Sequence, residues 1–358
     1  MSMSIEQFID TLPKAELHMH LEGSLEPEML FTLAERNGIK LRFSSVEALR
    51  AAYEFVNLED FLALYFEGCR VLVTEQDFYD ITAAYLAKAN AQAVRRAEMF
   101  LGPQSFTERG VQLPTLMNGV LAAIEDARSE TGINAGLIVS VHRHRPVEDA
   151  MVVLDTISPW AQQLAGIGMG GPEVGNPPGR FLPFYTKAKA LGYKTTVHAG
   201  EEGPPAYIRE ALDVLPIERI DHGVTSYKDE ALMDRLAELQ VPLTLCPLSN
   251  VRLKGFPAME AHPLKKMLER GLLVSVHSDD PPYFGGYVNE NLLACWRALE
   301  LSVDELATLA RNSFLSSFAT ADVIQEGVDA VDRYLNDFLN QGDRFGNRPF
   351  GANQARPE

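Results

Sequence analysis

Histidines of this chain cluster at positions where their spacing predicts a metal site. Five of the eight histidines fall at or beside the ends of short apolar runs typical of β-strands: His18, His20, His198, His222 and His277. His18 and His20 are two residues apart, so both imidazoles project to the same side of a strand. One such pair is weak evidence, because a buried histidine often has a purely structural role. The joint pattern favours a site where several strand ends meet.

The residue types around these histidines indicate which ion they suit. Three neutral imidazoles with one carboxylate are typical of a divalent transition metal. A bound divalent ion lowers the pKa of its water from 15.7 to about 7, which makes hydroxide available at neutral pH. The sequence therefore predicts one divalent metal, Zn²⁺ or alternatively Fe²⁺, with a position left open for water. The predicted ligands are His18, His20, His198 and Asp279.

Two further residues are candidates for moving protons. His222 ends a predicted strand and is the best candidate to take a proton from the water or to orient it. Glu201 lies three residues after His198, near the predicted metal but outside its ligand set. A protonated carboxyl in that position can donate a proton to the substrate. We expect His222 and Glu201 to be the catalytic acid–base pair.

Two other kinds of metal site are disfavoured by the residues present. Binuclear barrel hydrolases often carry a metal-bridging lysine at the end of strand four, where this chain has Gly-Met-Gly-Gly-Pro-Glu at 168–173. One class of zinc deaminases combines H-x-E with P-C-x-x-C. The run Cys-Pro-Leu-Ser at 246–249 does not supply that motif. A single metal on a different fold is therefore expected.

The elements that must position these residues are short strands alternating with amphipathic stretches. This alternation predicts βα units around a parallel sheet. Eight strands at this spacing predict an α/β fold of the closed (β/α)8 type, a TIM barrel, whose active site lies at the carboxyl ends of the strands. The predicted strands are Ala15–Leu21, Val94–Leu101, Ala135–Val141, Leu164–Met169, Lys194–His198, Arg219–His222, Pro242–Cys246 and Leu272–His277.

The chain is longer than the about 250 residues of a typical barrel. Most of the surplus over that length lies in residues 23–92, an insertion between strands one and two. Its position at the mouth of the barrel favours a lid, and the alternative is a cover for the outer wall. We expect one barrel domain over residues 1–340 and a flexible tail at 341–358, where Gly, Pro, Asn and Gln accumulate. The helices predicted in the insertion are 27–37, 46–53, 58–71 and 77–89.

Composition excludes several classes of partner. With 32 basic and 49 acidic side chains in 358 residues, the formal charge is −17, which disfavours nucleic acid because phosphate binding relies on Lys and Arg. No stretch approaches the roughly 18 consecutive apolar residues of a membrane span. The first residues lack a basic signal region, and three scattered cysteines fit a reducing compartment. We expect a cytoplasmic enzyme with a small-molecule substrate and no membrane partner, and self-association into a homo-oligomer is left open.

Longer motifs occur in a fixed order along nearly the whole chain. They are PKAELHMHLEGSLEPE at 13–28, HAGEEG at 198–203, RIDHGV at 219–224, LCPLSN at 245–250 and SDDP at 278–281. Together they resemble the adenosine/adenine deaminase family of the amidohydrolase superfamily. The resemblance implies hydrolysis of the exocyclic amine of a 6-aminopurine with release of ammonia. It also implies the predicted metal ligands, proton donation from Glu201 to purine N1, orientation of water by His222, and contact of Asp280 with N7.

The resemblance is greater to the adenine-specific branch of that family. Glu22 stands where adenosine deaminases commonly have an aspartate that faces the ribose, and its longer side chain would occupy part of the ribose space. Gly170 and Gly171 lack a Cβ atom and would let the backbone approach a flat base. The expected reaction converts adenine and water to hypoxanthine and ammonia. Adenosine and N6-substituted adenine are the alternative substrates.

Three positions depart from that branch. Gly170 stands near a usual Asp, His277 stands at a usual Asn, and residues 142–145 read His-Arg-His-Arg. These departures leave open a pocket altered for N6-substituted adenine, and the sequence assigns no role to His277 or to the basic run. A non-catalytic purine-binding protein and a hydrolase of another amide or ester are further alternatives. The complete set of ligands disfavours the first, and the presence of Glu201 and Asp280 disfavours the second.

Overall fold

A computed structural model of the chain describes residues 3–55 and 57–344, with side chains through residue 340. Strands and helices alternate along it, as the apolar runs predict. The eight strands are β1 Lys14–His20, β2 Val94–Leu101, β3 Asn134–His142, β4 Leu164–Gly170, β5 Thr196–Ala199, β6 Arg219–His222, β7 Leu243–Leu245 and β8 Val274–Val276.

The helices fall before, between and after the strands. Those that precede β3 are α1 Ile5–Thr11, α2 Pro27–Arg36, α3 Val46–Ala52, α4 Leu58–Cys69, α5 Glu75–Ala91, α6 Gln104–Thr107 and α7 Leu113–Thr131. Those between β3 and β8 are α8 Val147–Thr156, α9 Leu182–Ala190, α10 Pro205–Val214, α11 Glu230–Leu239, α12 Pro247–Arg252 and α13 Leu264–Glu269. The last are α14 Pro281–Phe284, α15 Val288–Leu299, α16 Val303–Leu315 and α17 Ala321–Arg344.

The strands form two parallel four-stranded sheets, ordered β1-β2-β3-β4 and β5-β6-β7-β8. The two sheets meet at two seams, one between β1 and β8 and one between β4 and β5. At the first seam Met19 pairs with Asp279, and at the second Ile167 pairs with Thr195. Each seam thus carries a single parallel bridge between described residues rather than a continuous ladder. Parallel strands in sequence order with helices between them are the arrangement of an α/β TIM barrel, which confirms the predicted fold class.

Burial explains why the strands read as continuous apolar runs. Leu137, Ile138, Val139 and Val141 on β3 are all fully buried, because helices cover one face of a barrel strand and the barrel interior covers the other. The ends of the strands differ from the predicted bounds by at most two residues. β5 begins at Thr196 rather than 194, and β8 begins at Val274 rather than 272, since pairing with a neighbour decides where a strand starts.

The insertion between β1 and β2 is helical, as predicted. Pro27 begins α2 at the position where a missing N–H costs nothing. The helix predicted at 77–89 spans Glu75–Ala91, because Thr74 and Asp77 form a capping box that starts it earlier.

The carboxyl-terminal end differs from the prediction at its boundary. The tail was expected from residue 341, but α17 continues to Arg344. The rest of the predicted tail, 345–358, lies outside the described residues. None of the described helices is both long and apolar enough to cross a membrane.

Candidate active site

The four residues predicted as metal ligands lie together at the carboxyl ends of the strands. His18 Nε2 and His20 Nε2, at the end of β1, each lie 3.2 Å from His198 Nε2 on β5. Asp279 Oδ1, just after β8, lies 3.7 Å from His18 Nε2 and 3.4 Å from His20 Nε2. His18, His198 and Asp279 are buried, and His20 is partly exposed.

The donor atoms of this cluster fit a divalent metal. Ligands of a tetrahedral ion with bonds of 2.0–2.1 Å lie about 3.3–3.4 Å apart, close to the separations in the cluster. Burial lowers the pKa of His18, His20 and His198, which keeps their rings neutral, as metal ligands must be. Nδ1 of His18 and of His198 faces acceptor oxygens of Thr244 and Asp221, which places the ring protons there and leaves lone pairs on the two Nε2 atoms. Two such lone pairs at this distance repel unless a cation lies between them. The chemistry of the donor set therefore matches the predicted ion.

Neighbouring groups orient two of the histidine rings in the cluster. His18 Nδ1 lies 2.9 Å from Thr244 Oγ1, and His198 Nδ1 faces Asp221 Oδ2 at 3.2 Å. The other oxygen of Asp221 accepts hydrogen bonds from Thr244 Oγ1 and from the buried Arg219 Nε. Such partners hold a ring so that its free nitrogen points at the metal. Sequence reasoning missed Asp221, although the adjacent Asp-His pair at the end of β6 was a usable signal.

Backbone strain occurs at two residues of the site. His222 and Asp279 both have φ of 63°, a region that residues other than glycine rarely adopt. Strain of this kind costs on the order of 1–3 kcal/mol and tends to occur at functional sites. The Asp279 N–H donates to His18 O and the His20 N–H donates to Asp279 O, both at 2.9 Å. These two bonds hold Asp279 against the clustered histidines of β1.

Glu201 and His222 lie next to each other beside the cluster. One carboxylate oxygen of Glu201 is 3.6 Å from His222 Nε2. Burial, followed by the nearby carboxylate of Asp279, raises the pKa of Glu201 well above its usual value. Burial lowers the pKa of His222. These shifts favour a protonated carboxyl beside a neutral imidazole, which are a proton donor and a proton acceptor.

A cavity opens onto this cluster. Helix α4 of the insertion forms one wall with apolar side chains, so the insertion lies at the mouth of the barrel. The opposite wall contains the strand-end residues and the Gly170–Gly171 backbone. Among the described residues, the α4 wall consists of Leu58, Phe61, Leu62, Tyr65 and Phe66. The opposite wall includes His20, Gly170, Gly171, His198, Glu201, His222, Asp279 and Asp280.

Asp280 is one of the residues that line the cavity. Its Oδ1 is buried and has no hydrogen-bond partner among the described residues. Burial, followed by the charge of Asp279, raises the pKa of Asp280 well above its usual value. A Cβ atom at Gly23 would lie 1.7 Å from Asp280 Oδ1, so only glycine at position 23 leaves room for this carboxyl.

The other predicted contact residues occupy different surroundings. Gly170 faces the cluster, where a Cβ atom would be in van der Waals contact with the His198 ring at 3.5 Å. Glu22 is buried behind the wall and is not among the described residues that line the cavity. Its Oε1 accepts a 2.7 Å hydrogen bond from Gly102 N, and burial raises its pKa to about 7. A contact between Glu22 and a substrate stays a prediction.

The sequence assigned no role to His277 or to the basic run at 142–145. The first is part of the packed interior, and two histidines of the second line the cavity. His277 is fully buried away from the ligand cluster, where Nδ1 accepts a hydrogen bond from Leu17 N and Nε2 lies 2.8 Å from Ser275 Oγ. His142 and His144 stack with ring centroids 5.4 Å apart, and both line the cavity.

Comparison with known proteins agrees with this geometry. The family model described as adenosine deaminase matches residues 13–334. A curated adenine deaminase of Rhodopseudomonas palustris is 56% identical over 331 residues, which cover 92% of this chain and 96% of that protein. A crystal structure of an adenine deaminase from Arthrobacter aurescens is 48% identical, with a TM-score of 0.89, and covers 91% of this chain and 100% of its own.

A second solved structure carries information about metal. An amidohydrolase from Burkholderia ambifaria with bound Zn is 27% identical, with a TM-score of 0.86, and the match covers 97% of this chain and 96% of that one. Because the family model matches residues 13–334 of this chain and a relative is 56% identical to it, this chain belongs to the adenosine deaminase family.

Proposed function

We propose that this chain catalyses the hydrolytic deamination of adenine to hypoxanthine and ammonia at a site that holds one Zn²⁺ ion. The observation that carries the proposal is the cavity that opens beside the three clustered imidazoles. Asp279, Glu201 and Asp280 are part of its wall. The relatives named adenine deaminase support the substrate, and the Zn-bound amidohydrolase supports the metal. Fe²⁺ is the alternative ion, since imidazole and carboxylate ligands suit it as well.

The ion would be held by His18, His20, His198 and Asp279. When bound, a divalent metal lowers the pKa of a water ligand to about 7. The His222 ring lies beside the rings of His18 and His198, with centroids 4.4 and 5.1 Å away. His222 accepts one proton from the attacking water as the water oxygen bonds to purine C6.

Glu201 donates its proton to N1 as that bond forms. Attack at C6 pushes electron density onto N1, so a proton supplied there stabilises the transition state more than the ground state. His222 then passes its proton to the exocyclic nitrogen, the C6–N bond breaks, and ammonia leaves. The remaining hydroxyl proton restores Glu201, and N1 keeps the proton it received, which gives hypoxanthine.

Asp280 orients the base. N7 of adenine is a hydrogen-bond acceptor, so a carboxylate facing it would repel it, whereas a protonated carboxyl donates to it. The raised pKa of Asp280 supports the protonated form. Gly170 and Gly171 present a wall without side chains to the flat ring.

The insertion is proposed to act as a lid on a single barrel domain that extends over residues 1–340. Phe61 on α4 packs against Phe284 with ring centroids 4.7 Å apart, and Phe284 follows Asp280 by four residues. Through this packing contact, a shift of Asp280 on substrate binding would be passed to helix α4 of the lid. Hydrogen–deuterium exchange with and without a non-hydrolysable purine tests this idea, and we expect slower exchange in α4 when the purine is bound.

The remaining parts of the proposal concern partners and location. We propose a cytoplasmic enzyme whose partner is a small-molecule purine and not nucleic acid, which the charge of −17 supports. Light scattering during size-exclusion chromatography measures whether the chain forms a homo-oligomer.

A substrate panel tests the proposed reaction. Adenine, adenosine and N6-methyladenine are incubated separately with zinc-loaded protein, and ultraviolet absorbance and ammonia release are followed. We expect adenine to have the highest kcat/KM. A higher value for adenosine or for N6-methyladenine would reject the proposed substrate, and turnover of none of the three would reject the reaction.

A further inference from the structure

The carboxylate of Glu173 fills a cradle of backbone N–H groups. Glu173 lies in the loop after β4 and is 1% exposed. Its Oε1 accepts a 2.6 Å hydrogen bond from Gly200 N. Its Oε2 accepts from the N–H groups of Glu201, Glu202 and Gly203 at 2.9, 3.0 and 2.8 Å. Successive backbone N–H groups of this kind form an anion-binding nest, which here holds a side chain from another loop.

The turn that forms this nest is shaped to receive the carboxylate. Gly200 has φ of +76°, which glycine adopts without strain. A Cβ atom at Gly203 would lie 2.6 Å from Glu173 Oε1, so a side chain there would displace the carboxylate. On the other side, Thr225 N donates to Gly200 O and Thr225 Oγ1 donates to Gly203 O. The turn is thus held between Glu173 and Thr225.

A buried arginine ties the loop of Glu173 to the strand that precedes the turn. Arg143 is fully buried, although it belongs to the basic run that follows β3. Its Nη1 donates a 2.6 Å hydrogen bond to His198 O, and its Nε and Nη2 donate to Asn176 O at 3.0 and 2.8 Å. Asn176 is three residues after Glu173, so the loop and the end of β5 are fixed relative to each other.

We propose that Glu173 is a positioning residue that holds the turn at 200–203, and with it Glu201, in the geometry required for proton donation. This inference depends on the role of Glu201 proposed above. Loss of the carboxylate would leave four backbone N–H groups without their acceptor, and a buried donor without a partner destabilises the conformation that contains it. The turn would rearrange to recover partners, and a displacement of about 1 Å at a catalytic group can reduce the rate roughly 10²-fold.

The charge of Glu173 has a second effect on the same group. The charged and titratable groups that face Glu201 come from the end of β6, from the loops after β3, β4, β7 and β8, and from its own turn: Arg143, Glu173, Asp279, Asp280, Cys246, His222 and Glu202. Among them, Glu173 is one of the carboxylates that raise the pKa of Glu201. Removal of that charge therefore lowers the pKa, and Glu201 loses its proton at a lower pH.

The test compares Glu173→Gln with a matched control. In Glu173→Gln we expect kcat to fall roughly 10²-fold, KM and bound zinc to stay near wild type, and the alkaline limb of the kcat–pH profile to move to lower pH. Asp77 is a fully buried carboxylate that accepts hydrogen bonds from Val73 N and Thr74 N at the start of α5. Asp77→Asn should lower Tm and leave kcat and the alkaline limb unchanged.

Two more variants separate the possible failures. If Glu173→Gln does not fold, Gly203→Ala tests the inference instead, because it keeps the charge of Glu173 and displaces its carboxylate. A loss of kcat in Gly203→Ala supports the inference, and a wild-type kcat overturns it. A folded Glu173→Gln with wild-type kcat and pH profile also overturns it. Glu201→Gln with wild-type turnover would instead reject the proposed proton donor, and the inference with it. An inactive Glu201→Gln beside a fully active Glu173→Gln would reject only the positioning role.

Discussion

Glu201→Gln removes the proposed proton donor while changing the volume of the site very little. Glutamine is nearly isosteric with a protonated glutamate, so packing in the cavity should be kept. An amide does not release a proton to N1 at neutral pH, because its N–H is far less acidic than a carboxyl. His222 lies 3.6 Å from Glu201, and the proposed mechanism already uses it to move the proton of the attacking water. The protonated carboxyl of Asp280 is assigned to N7, so neither group is free to replace Glu201 at N1.

The size of the effect follows from this lack of a replacement. General acid catalysis by a positioned side chain contributes roughly 10²–10⁴-fold. Glu201 is enclosed, and burial holds its pKa high, so we expect the upper part of that range, roughly 10³–10⁴-fold in kcat. At 1.36 kcal/mol for each tenfold change, this corresponds to about 4–5.5 kcal/mol in the activation free energy.

The assay measures kcat and KM for adenine by ultraviolet absorbance, with metal content measured by plasma mass spectrometry on the same samples. Bound metal should be unchanged, because Glu201 is not one of the four proposed ligands. Glu202→Gln is the matched control: it makes the same chemical change at the next residue of the turn, where the side chain is exposed. A Glu201→Gln protein that kept its metal and retained more than about a tenth of the wild-type kcat would refute the assignment.

Three further predictions follow from the same geometry. Asp279→Ala should reduce zinc content and abolish turnover, whereas added zinc should restore activity to chelated wild-type protein; turnover unaffected by complete chelation would contradict the metal site. Gly23→Ala should displace the Asp280 carboxyl, which a Cβ atom would meet at 1.7 Å, and should raise KM for adenine with little change in bound zinc. The kcat–pH profile should be a plateau across neutral pH. It should fall on the acid side, below the usual histidine pKa, as His222 gains a proton, and on the alkaline side as Glu201, whose pKa is raised, loses one. A profile that only rises with pH would be inconsistent with a protonated donor.

The chemical identity of the site was largely predictable from the sequence. His18, His20, His198 and Asp279 were chosen for their residue types and for their places at predicted strand ends, and the structure brings all four within contact distance. This was possible because the carboxyl ends of parallel barrel strands meet at one edge, so order along the chain maps onto nearness in space. The fold class was predictable because each of the eight buried strands is an apolar run in the sequence.

The surroundings of His277 and Arg143 were not predictable, because nothing in the local sequence says which groups will face them. His277 ends a predicted strand, as the candidate ligand histidine His198 does, yet it accepts a hydrogen bond from Leu17 N and is not part of the cluster. Arg143 sits in a run that reads as basic surface, but tertiary packing buries it completely.

The sequence by itself determined which chemistry this chain can perform, since residue types fix ligand preference and acid–base capacity. Only the tertiary structure decided how that chemistry is held in place. The four N–H groups around Glu173 belong to a turn that is 27–30 residues away in sequence. The space for Asp280 depends on Gly23, at the other end of the chain. Hydrogen-bond geometry and excluded volume depend on distances between folded segments, and those distances exist only after the barrel has brought its strand ends together.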